Sequence, residues 1–313
     1  MSILLKPDSL RALDITVRAA FMESYGSTAY TPRYPGLATV QASSSAKNVY
    51  PSIIDAAAVR EWTDERVING LVLVGAEVTN QKWELSYGIK RESLDDDTSG
   101  TVAMLMSRVR SGGGKFLRHK DKLVFNVVKN NGTCLDGRPL FDGSHKVNPV
   151  DPGSATFDND VGSTALTANN AAAGRAMMME LKAPDGDPVN ENPRVLKVPP
   201  ALELTARKIA EADEIVFSGS ANESNVYKGQ YDVVVVPHLG AAFGGSDTTW
   251  YLSDTTDAED RGLIVQEREA MEITALFNLT DPQVFARDEY QWGARARYTA
   301  AAGNPKKIVR RTG

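Results

Sequence analysis

Cysteine is almost missing from this chain: a single residue, Cys134, in 313. A framework of intramolecular disulfides is therefore excluded. Histidine is nearly as scarce, with three residues, which leaves a Cys/His zinc site short of ligands. Long apolar runs are lacking too. The longest, around Val233 to Val236, falls far below the ~20 residues of a membrane-crossing helix. The opening stretch MSILLKPDSLRALD has too brief an apolar patch for a signal-peptide core and no small-residue cleavage site. It reads as the start of a protein kept in the cytoplasm. Basic charge is not in excess: 35 Lys and Arg face 40 Asp and Glu, a net of −5. That balance excludes a surface that seeks nucleic acid as a whole, although one face could tolerate packed DNA. Enzyme signatures are absent as well. Gly112 to Lys115 lacks the preceding strand and the spacing of a phosphate-binding loop, and neither GxSxG nor HExxH occurs.

What is present is the composition of an ordinary globular protein, 42% hydrophobic and 24% charged, long enough for two connected domains. The pattern is α+β. Residues 8–25 read as a helix with Asp8 as cap, Gly26 as stop, and Leu10, Leu13, Val17 and Phe21 on one face. Residues 26–50 are polar and irregular (TPRYPG, ASSSAKN). Such a segment buries little by itself and is expected to be held by a neighbouring chain. Val67 to Val78 reads as a strand, Thr79, Asn80 and Gln81 as a turn, and residues 83–91 as the returning strand, with Trp83, Leu85, Tyr87 and Ile89 on one face. An isolated two-stranded hairpin is marginal in water, so that face is expected to pack on another subunit.

A helix should follow Asp95, Asp96 and Asp97, capped by Thr98 or Ser99, with Val102, Leu105, Met106 and Val109 aligned. Gly112, Gly113 and Gly114 each cost about 1 kcal/mol inside a helix and predict a break or bend, one long element in two pieces. Periodicity resumes at Leu117, Leu123, Val124, Val127 and Val128. Residues 131–163 are loop-rich; a helix is expected over 166–182, a strand over 194–198, and a helix ending at Glu211. The remainder reads as β: Tyr231 to Val236, Trp250 to Leu252, Leu263 to Val265, and a last strand alternating Tyr290, Trp292, Ala294, Ala296 and Tyr298.

Groups that could carry chemistry have simpler explanations. Asp95, Asp96 and Asp97 could ligate a divalent cation, but an acidic turn before a helix accounts for them. Asp136, Asp142 and His145 resemble a hydrolase loop only in composition; the Asp-Gly pairs are turn chemistry, and His145 reads as packed. Cys134 reads as a small packed residue, Tyr227, Tyr231, Trp250 and Tyr251 as core, and Met177, Met178 and Met179 as gap-fillers. Lys306, Lys307, Arg310 and Arg311 read as a solvated tail in preference to a DNA contact. No catalytic, cofactor-binding or metal residue is assigned.

Taken in order, several segments resemble the major head subunits of Mu-like phages and prophages. They are FMESYG; YPSIIDAAAVREWTDERVINGL, with Trp62, Glu65 and Arg66; NQKWELSYGIKRESLDDDTSG; NGTCLDGRPLFDGSHKV, with Asp136, Gly137, Phe141 and His145; PRVLKVPPALELTARKIAEA; and YDVVVVPHL through DPQVFARDEYQWGARARY. The resemblance implies a Hong Kong 97-type capsid fold. Residues 1–55 would form an N-terminal helix and arm, 64–95 an extended hairpin loop, and 213–280 an axial domain. Residues 56–63, 96–212 and 281–313 would form a peripheral domain with a spine helix over 97–130. It implies a self-assembling icosahedral shell subunit around double-stranded DNA, without cofactor, in a virion built in the host cytoplasm. Its expected partners are copies of itself in pentamers and hexamers, scaffold and portal proteins, a cement protein, and DNA held weakly; no membrane is involved. Trp83, Leu85, Tyr87, Ile89, Leu13, Val17 and Phe21 are the expected inter-subunit contacts. The competing readings are a nanocompartment shell of the same fold and a metal-dependent hydrolase using Asp95 to Asp97 with His145.

Overall fold

The computed structural model describes residues 7–26, 30–54, 72–95, 100–216, 223–278 and 280–313. In chain order these form α1 (Pro7–Tyr25), a single turn α2 (Tyr34–Leu37), β1 (Thr39–Ala42), β2 (Lys47–Ile54), β3 (Val72–Thr79), β4 (Gln81–Lys90), α3 (Arg91–Asp95) and α4 (Thr101–Lys129). Then come β5 (His145–Lys146), β6 (Thr156–Phe157), β7 (Asp160–Val161), α5 (Ala168–Met179), β8 (Val195–Val198), α6 (Glu203–Glu211), β9 (Glu214–Ile215), β10 (Glu223–Ser224) and β11 (Asp232–Val235). The chain ends with β12 (Thr249–Ser253), β13 (Leu263–Leu276), α7 (Pro282–Arg287), β14 (Glu289–Ala302) and β15 (Ile308–Thr312).

Two sheets organise these elements. The first has the order β1-β13-β14-β4 and is dominated by the long antiparallel pair β13–β14, whose register shifts near Glu269. The alternation expected in the last strand holds: Tyr290, Trp292, Ala294, Ala296 and Tyr298 are all buried on one face. In β4, Trp83 lies opposite Ala296 and Leu85 opposite Ala294, so large side chains on one strand meet small ones on the other. Helices α1 and α4 cover this face, with Leu10, Leu13, Val17, Phe21, Val109 and Phe116 in one apolar cluster with the sheet. The second sheet has the order β11-β8-β12-β15-β7. One face packs Leu196, Trp250, Leu252 and Val309 against α5 and α6; the other packs Val195, Tyr251 and Ile308 against the second half of α4. Helices α5 and α6 on one face and α4 on the other leave β8 and β12 buried at every position rather than at alternate ones.

Four expectations need correction. First, Gly112, Gly113 and Gly114 do not break the helix: α4 is continuous over 29 residues, about 43 Å at 1.5 Å per residue. Its N-cap is Gly100 at φ 71°, while Thr98 and Ser99 lie outside the described residues. Gly112 and Gly113 sit where α1 crosses. A Cβ on Gly112 would lie 2.7 Å from Phe21 Cε2, and one on Gly113 would lie 2.4 Å from the Phe21 carbonyl oxygen.

Second, Asn80 does not reverse the chain. β3 pairs with β2 and β4 with β14, so the two-stranded ribbon is residues 47–54 against 72–79, not 64–95. Asn80 is instead a buried clasp: its amide nitrogen donates to Ser43 Oγ and to the Ser45 carbonyl, each at 2.9 Å. Residues 55–71, which contain the expected strand start and Trp62, Glu65 and Arg66, lie outside the described residues.

Third, the polar segment after α1 is held by its own chain. The Asp121 carboxylate, 1% exposed on α4, accepts from the Tyr30 hydroxyl at 2.5 Å and the Tyr34 amide at 2.8 Å. β1 then pairs in parallel with β13. Fourth, residues 304–313 are not a solvated tail. β15 is an interior strand between β12 and β7, so the second sheet combines residues from 160–253 with the last strand, while β13 belongs to the first sheet. The boundaries 213–280 and 281–313 therefore do not separate domains.

Candidate assembly surfaces

The β2–β3 ribbon is an eight-residue pair outside the two main sheets. Among the described residues neither strand has a third partner strand, and Val49 is 63% exposed. Lys47 pairs with Glu77 across it at 2.5 Å. At its base the Tyr50 hydroxyl meets the side-chain oxygen of Gln266 at 2.5 Å, and Gln266 is fully buried in β13. Gly75 is required where the strands approach, since a Cβ there would stand 2.5 Å from the Tyr50 carbonyl oxygen. A ribbon of this kind gains stability mainly from whatever packs on its faces.

The contacts expected from β4 are mostly satisfied inside the chain. Trp83, Leu85, Tyr87 and Ile89 pack on the same cluster as Leu13, Val17 and Phe21, under α1 and α4. Ile89 is buried, while Trp83, Leu85 and Tyr87 are half-buried and keep only their outer parts for a neighbour. The physical reason is α1: Trp292 donates through Nε1 to Asp14 at 3.1 Å, and Arg18 donates to the Ile273 carbonyl at 2.7 Å. These bonds pin the helix over the face that sequence alone left open. Beside it Trp83, Leu85, Phe116 and His119 line an open groove of about 170 Å³, with Glu84 and Lys115 at its rim.

Elsewhere the polar clusters are structural. Cys134, Asp136 and His145 place their ligand atoms within 4.8 Å of one another. Each is already committed: the thiol to Asp136 Oδ1 at 2.7 Å, His145 Nδ1 to Asp136 Oδ2 at 2.7 Å, and Nε2 to the Leu140 carbonyl at 3.2 Å. Burial and the adjacent carboxylate push the thiol up to about 12. Burial opposes ionisation of Asp136, but donors from His145, Cys134 and the Arg138 amide prevail and hold it at about 2. The result is an inert clasp across residues 131–145, with His145 fully buried as expected. Asp142 accepts from Ser144 and pairs with Arg138 at 3.2 Å, away from that trio. Asp96 and Asp97 lie outside the described residues, as does the side chain of Asp95. Tyr231, Trp250 and Tyr251 are core, Tyr227 stacks on Tyr231, and of the three methionines only Met178 is fully buried.

The basic residues at 307–311 are held in the fold. Arg310 pairs with Asp160 and Lys307 with Glu191 at 2.9 Å, while Arg311 is 5% exposed beside Trp250. Sequence reasoning missed Asp121, Lys197 and Glu191. Lys197 is 1% exposed, and its amine donates to Ser253 Oγ at 2.8 Å. Its place inside the apolar run VLKVPP was the available signal.

A spine helix across one sheet, a second sheet with its own helices and a projecting ribbon define the Hong Kong 97-type fold of phage capsid subunits. Solved structures agree. The procapsid protein of bacteriophage JBD30 superposes with a TM-score of 0.55 at 23% identity, over 99% of this chain and 76% of that one. A subunit of an empty GTA particle gives 0.56 at 13% identity, over 92% and 91%. A virus-like particle from Pyrococcus furiosus gives 0.52 at 11% identity, over 95% and 98%. The sequence is more specific. The family of the Mu-like prophage major head subunit gpT matches residues 10–165, 160–239 and 241–310, and the chain belongs to that family. It is 28% identical over 160 residues to the major capsid protein of Escherichia phage Mu, covering 50% of each chain. It is 27% identical over 143 residues to the Mu-like prophage FluMu major head subunit of Haemophilus influenzae, covering 45% of each. The matches thus span about half the length of these curated relatives.

Proposed function

We propose that this chain is the major capsid protein of a tailed phage, a structural subunit whose copies close into an icosahedral shell around double-stranded DNA. The observation that carries the reading is the family match, which runs along nearly the whole chain in three consecutive segments. The fold supports it: among the described residues β2–β3 has no third strand, which leaves its edges open to neighbours. Repeated heterologous contacts of this kind close into rings and shells. The fold alone does not separate a phage head from other shells, since the Pyrococcus particle shares it; the family favours the head. Pentamers and hexamers are the building blocks in this reading, with scaffold and portal proteins as assembly partners. A cement protein is a further expected partner; the related JBD30 capsid is decorated with minor capsid protein trimers. The inner face touches DNA weakly, and the site of action is the virion. Negative-stain microscopy of the purified protein tests this directly. Shells, tubes or five- and six-membered rings are expected; a protein that stays monomeric at every concentration and salt would refute the assignment.

A further inference from the structure

We propose that Glu191 and Asp254 share one proton, and that this proton clasps the connection between α5 and β8 onto the second sheet. The proposal goes beyond the shell reading and does not depend on it. Residues 182–192 run over the surface, exposed or half-buried, with one exception: Glu191, whose side chain is fully enclosed. Apolar residues are the usual inward anchors of a loop, so a carboxyl in that place must find its compensation nearby.

Three segments meet around it. From the turn before β15, Lys307 Nζ lies 2.9 Å from one Glu191 oxygen, while the other has no donor among the described residues. From the end of β12, the Asp254 carboxyl abuts Glu191. Both oxygens of Asp254 are already engaged, Oδ2 by the Asn192 amide at 2.6 Å and Oδ1 by the Thr256 amide at 2.8 Å. Burial opposes ionisation of Asp254, but these donors prevail and hold it below its ordinary value. Other charges stand further out. The Lys306 amine donates to the Val147 and Lys182 carbonyls at 3.4 Å, Asp260 accepts from the Asn304 side chain at 2.9 Å, and Asp185 on the loop itself is exposed.

Two carboxylates with one close ammonium leave a negative charge uncompensated in an enclosed place, and a proton on Glu191 removes it. The neutral carboxyl then donates to Asp254, as paired carboxyls that share a proton do. Burial, with Asp254 alongside and against the pull of Lys307, lifts Glu191 to about 7, so the proton is kept close to neutrality. Once it leaves, the two carboxylates repel. The side-chain ties that remain nearby are those of Lys306 and of Arg175, which donates to the Pro193 carbonyl at 2.6 Å and to the Asn192 side chain at 2.9 Å. The connection then opens while the strands behind it stay paired.

Amide exchange of the unassembled subunit, corrected for the intrinsic pH dependence of exchange, tests this over residues 180–194. In the open connection Glu191 regains its ordinary value of 4.5. Protection there should therefore fall by up to tenfold per pH unit between 4.5 and about 7, about 300-fold in all, and level off above. It should also be lower than that of β12 and β15 at every pH, which marks local opening rather than unfolding. Glu191→Gln keeps a neutral donor facing Asp254, so its protection should not vary with pH over this range. Asp254→Asn removes the opposing charge and should flatten the fall as well, which keeps the test open if Glu191→Gln does not fold. Protection in wild type that is flat from pH 4.5 to 7, or equal to that of β12 and β15, would overturn the clasp. So would a fall that persists unchanged in the folded variants.

Discussion

Two buried ionisable side chains give this subunit a pH response that can be worked out residue by residue. Lys197 is completely enclosed, and burial, with Arg261 nearby adding to it, brings its amine down from 10.5 to about 7. The unfolded chain therefore binds a proton that the folded chain does not between those values, and stability rises with pH from about 7 to 10.5. Glu191 is its mirror image. Burial outweighs the attraction of Lys307 and, with Asp254 alongside, lifts the carboxyl from 4.5 to about 7. Here the folded form holds the extra proton, so stability falls as pH climbs from 4.5 towards 7. Lys197→Met removes the titrating amine, and the Ser253 hydroxyl loses its donor. It should flatten the rise between pH 7 and 10.5. Glu191→Gln should flatten the fall between 4.5 and 7. Urea denaturation across the pH range reads both slopes, and unchanged slopes in the variants would assign the response to other groups.

At the level of elements, the glycines of α4 make the sharpest case. Gly113→Ala would place a methyl group 2.3 Å from Ser24 Oγ and 2.4 Å from the Phe21 carbonyl. It should destabilise the subunit by about 1–3 kcal/mol, the usual cost of overpacking. Gly114 meets nothing closer than Arg118 Nη1 at 3.4 Å, so Gly114→Ala should instead stabilise by up to about 1 kcal/mol through helix propensity alone. Thermal melts of the two variants should move in opposite directions; equal losses would mean that the crossing of α1 over α4 is looser than described. Asp121→Ala makes a parallel case for the segment after α1. Removing the acceptor of the Tyr30 and Tyr34 bonds should speed amide exchange around residues 30–38 while leaving α4 protected. These elements also show what was legible in the sequence. Helix α1 and the alternation of β14 were legible because each pattern is local and one face is apolar. The helix through three glycines was not, because propensity argues against it and only the close passage of a second helix explains it. The partner of β3 was hidden for a related reason: Asn80 has the chemistry of a turn, yet its amide is used by Ser43 and Ser45, more than thirty residues earlier. His145 was legible as packed, since Asp-Gly turns leave few roles for a lone histidine. Lys197, inside an apolar run, was a signal passed over.

For the molecule as a whole, the proposed shell function raises the question of how a wall of such subunits would treat DNA inside it. Lys306, Lys307, Arg310 and Arg311 are the densest basic cluster in the sequence, and as a loose tail they would be a DNA-gripping element. The fold spends them otherwise. Lys307 faces Glu191, Arg310 faces Asp160, Arg311 is buried, and the amine of Lys306 lies 5.9 Å from the Phe157 ring centre. β15, which carries Arg310 and Arg311, sits between β12 and β7. Deleting residues 304–313 should therefore prevent folding of the second sheet rather than merely change an affinity, and the deletion protein is expected to be insoluble. The cluster then contributes few free cations, and a net charge of −5 opposes approach to a polyanion. Each phosphate neutralised would steepen the salt dependence of binding by about 0.9 in log–log slope, and many copies on one genome would multiply the grip. A subunit without such contacts should bind duplex DNA no more tightly than about 10⁻⁴ M at roughly 150 mM salt, the weak limit of non-specific binding. Mobility-shift titration of the free subunit measures this, and the informative variant is Arg310→Ala with Asp160→Ala, which removes a matched pair without changing net charge. Equal weak binding by wild type and this variant is the expected result. Micromolar binding by wild type with a steep salt slope would mean that cations elsewhere on the surface converge on DNA, and that the inner wall holds the genome more firmly than its charge balance implies.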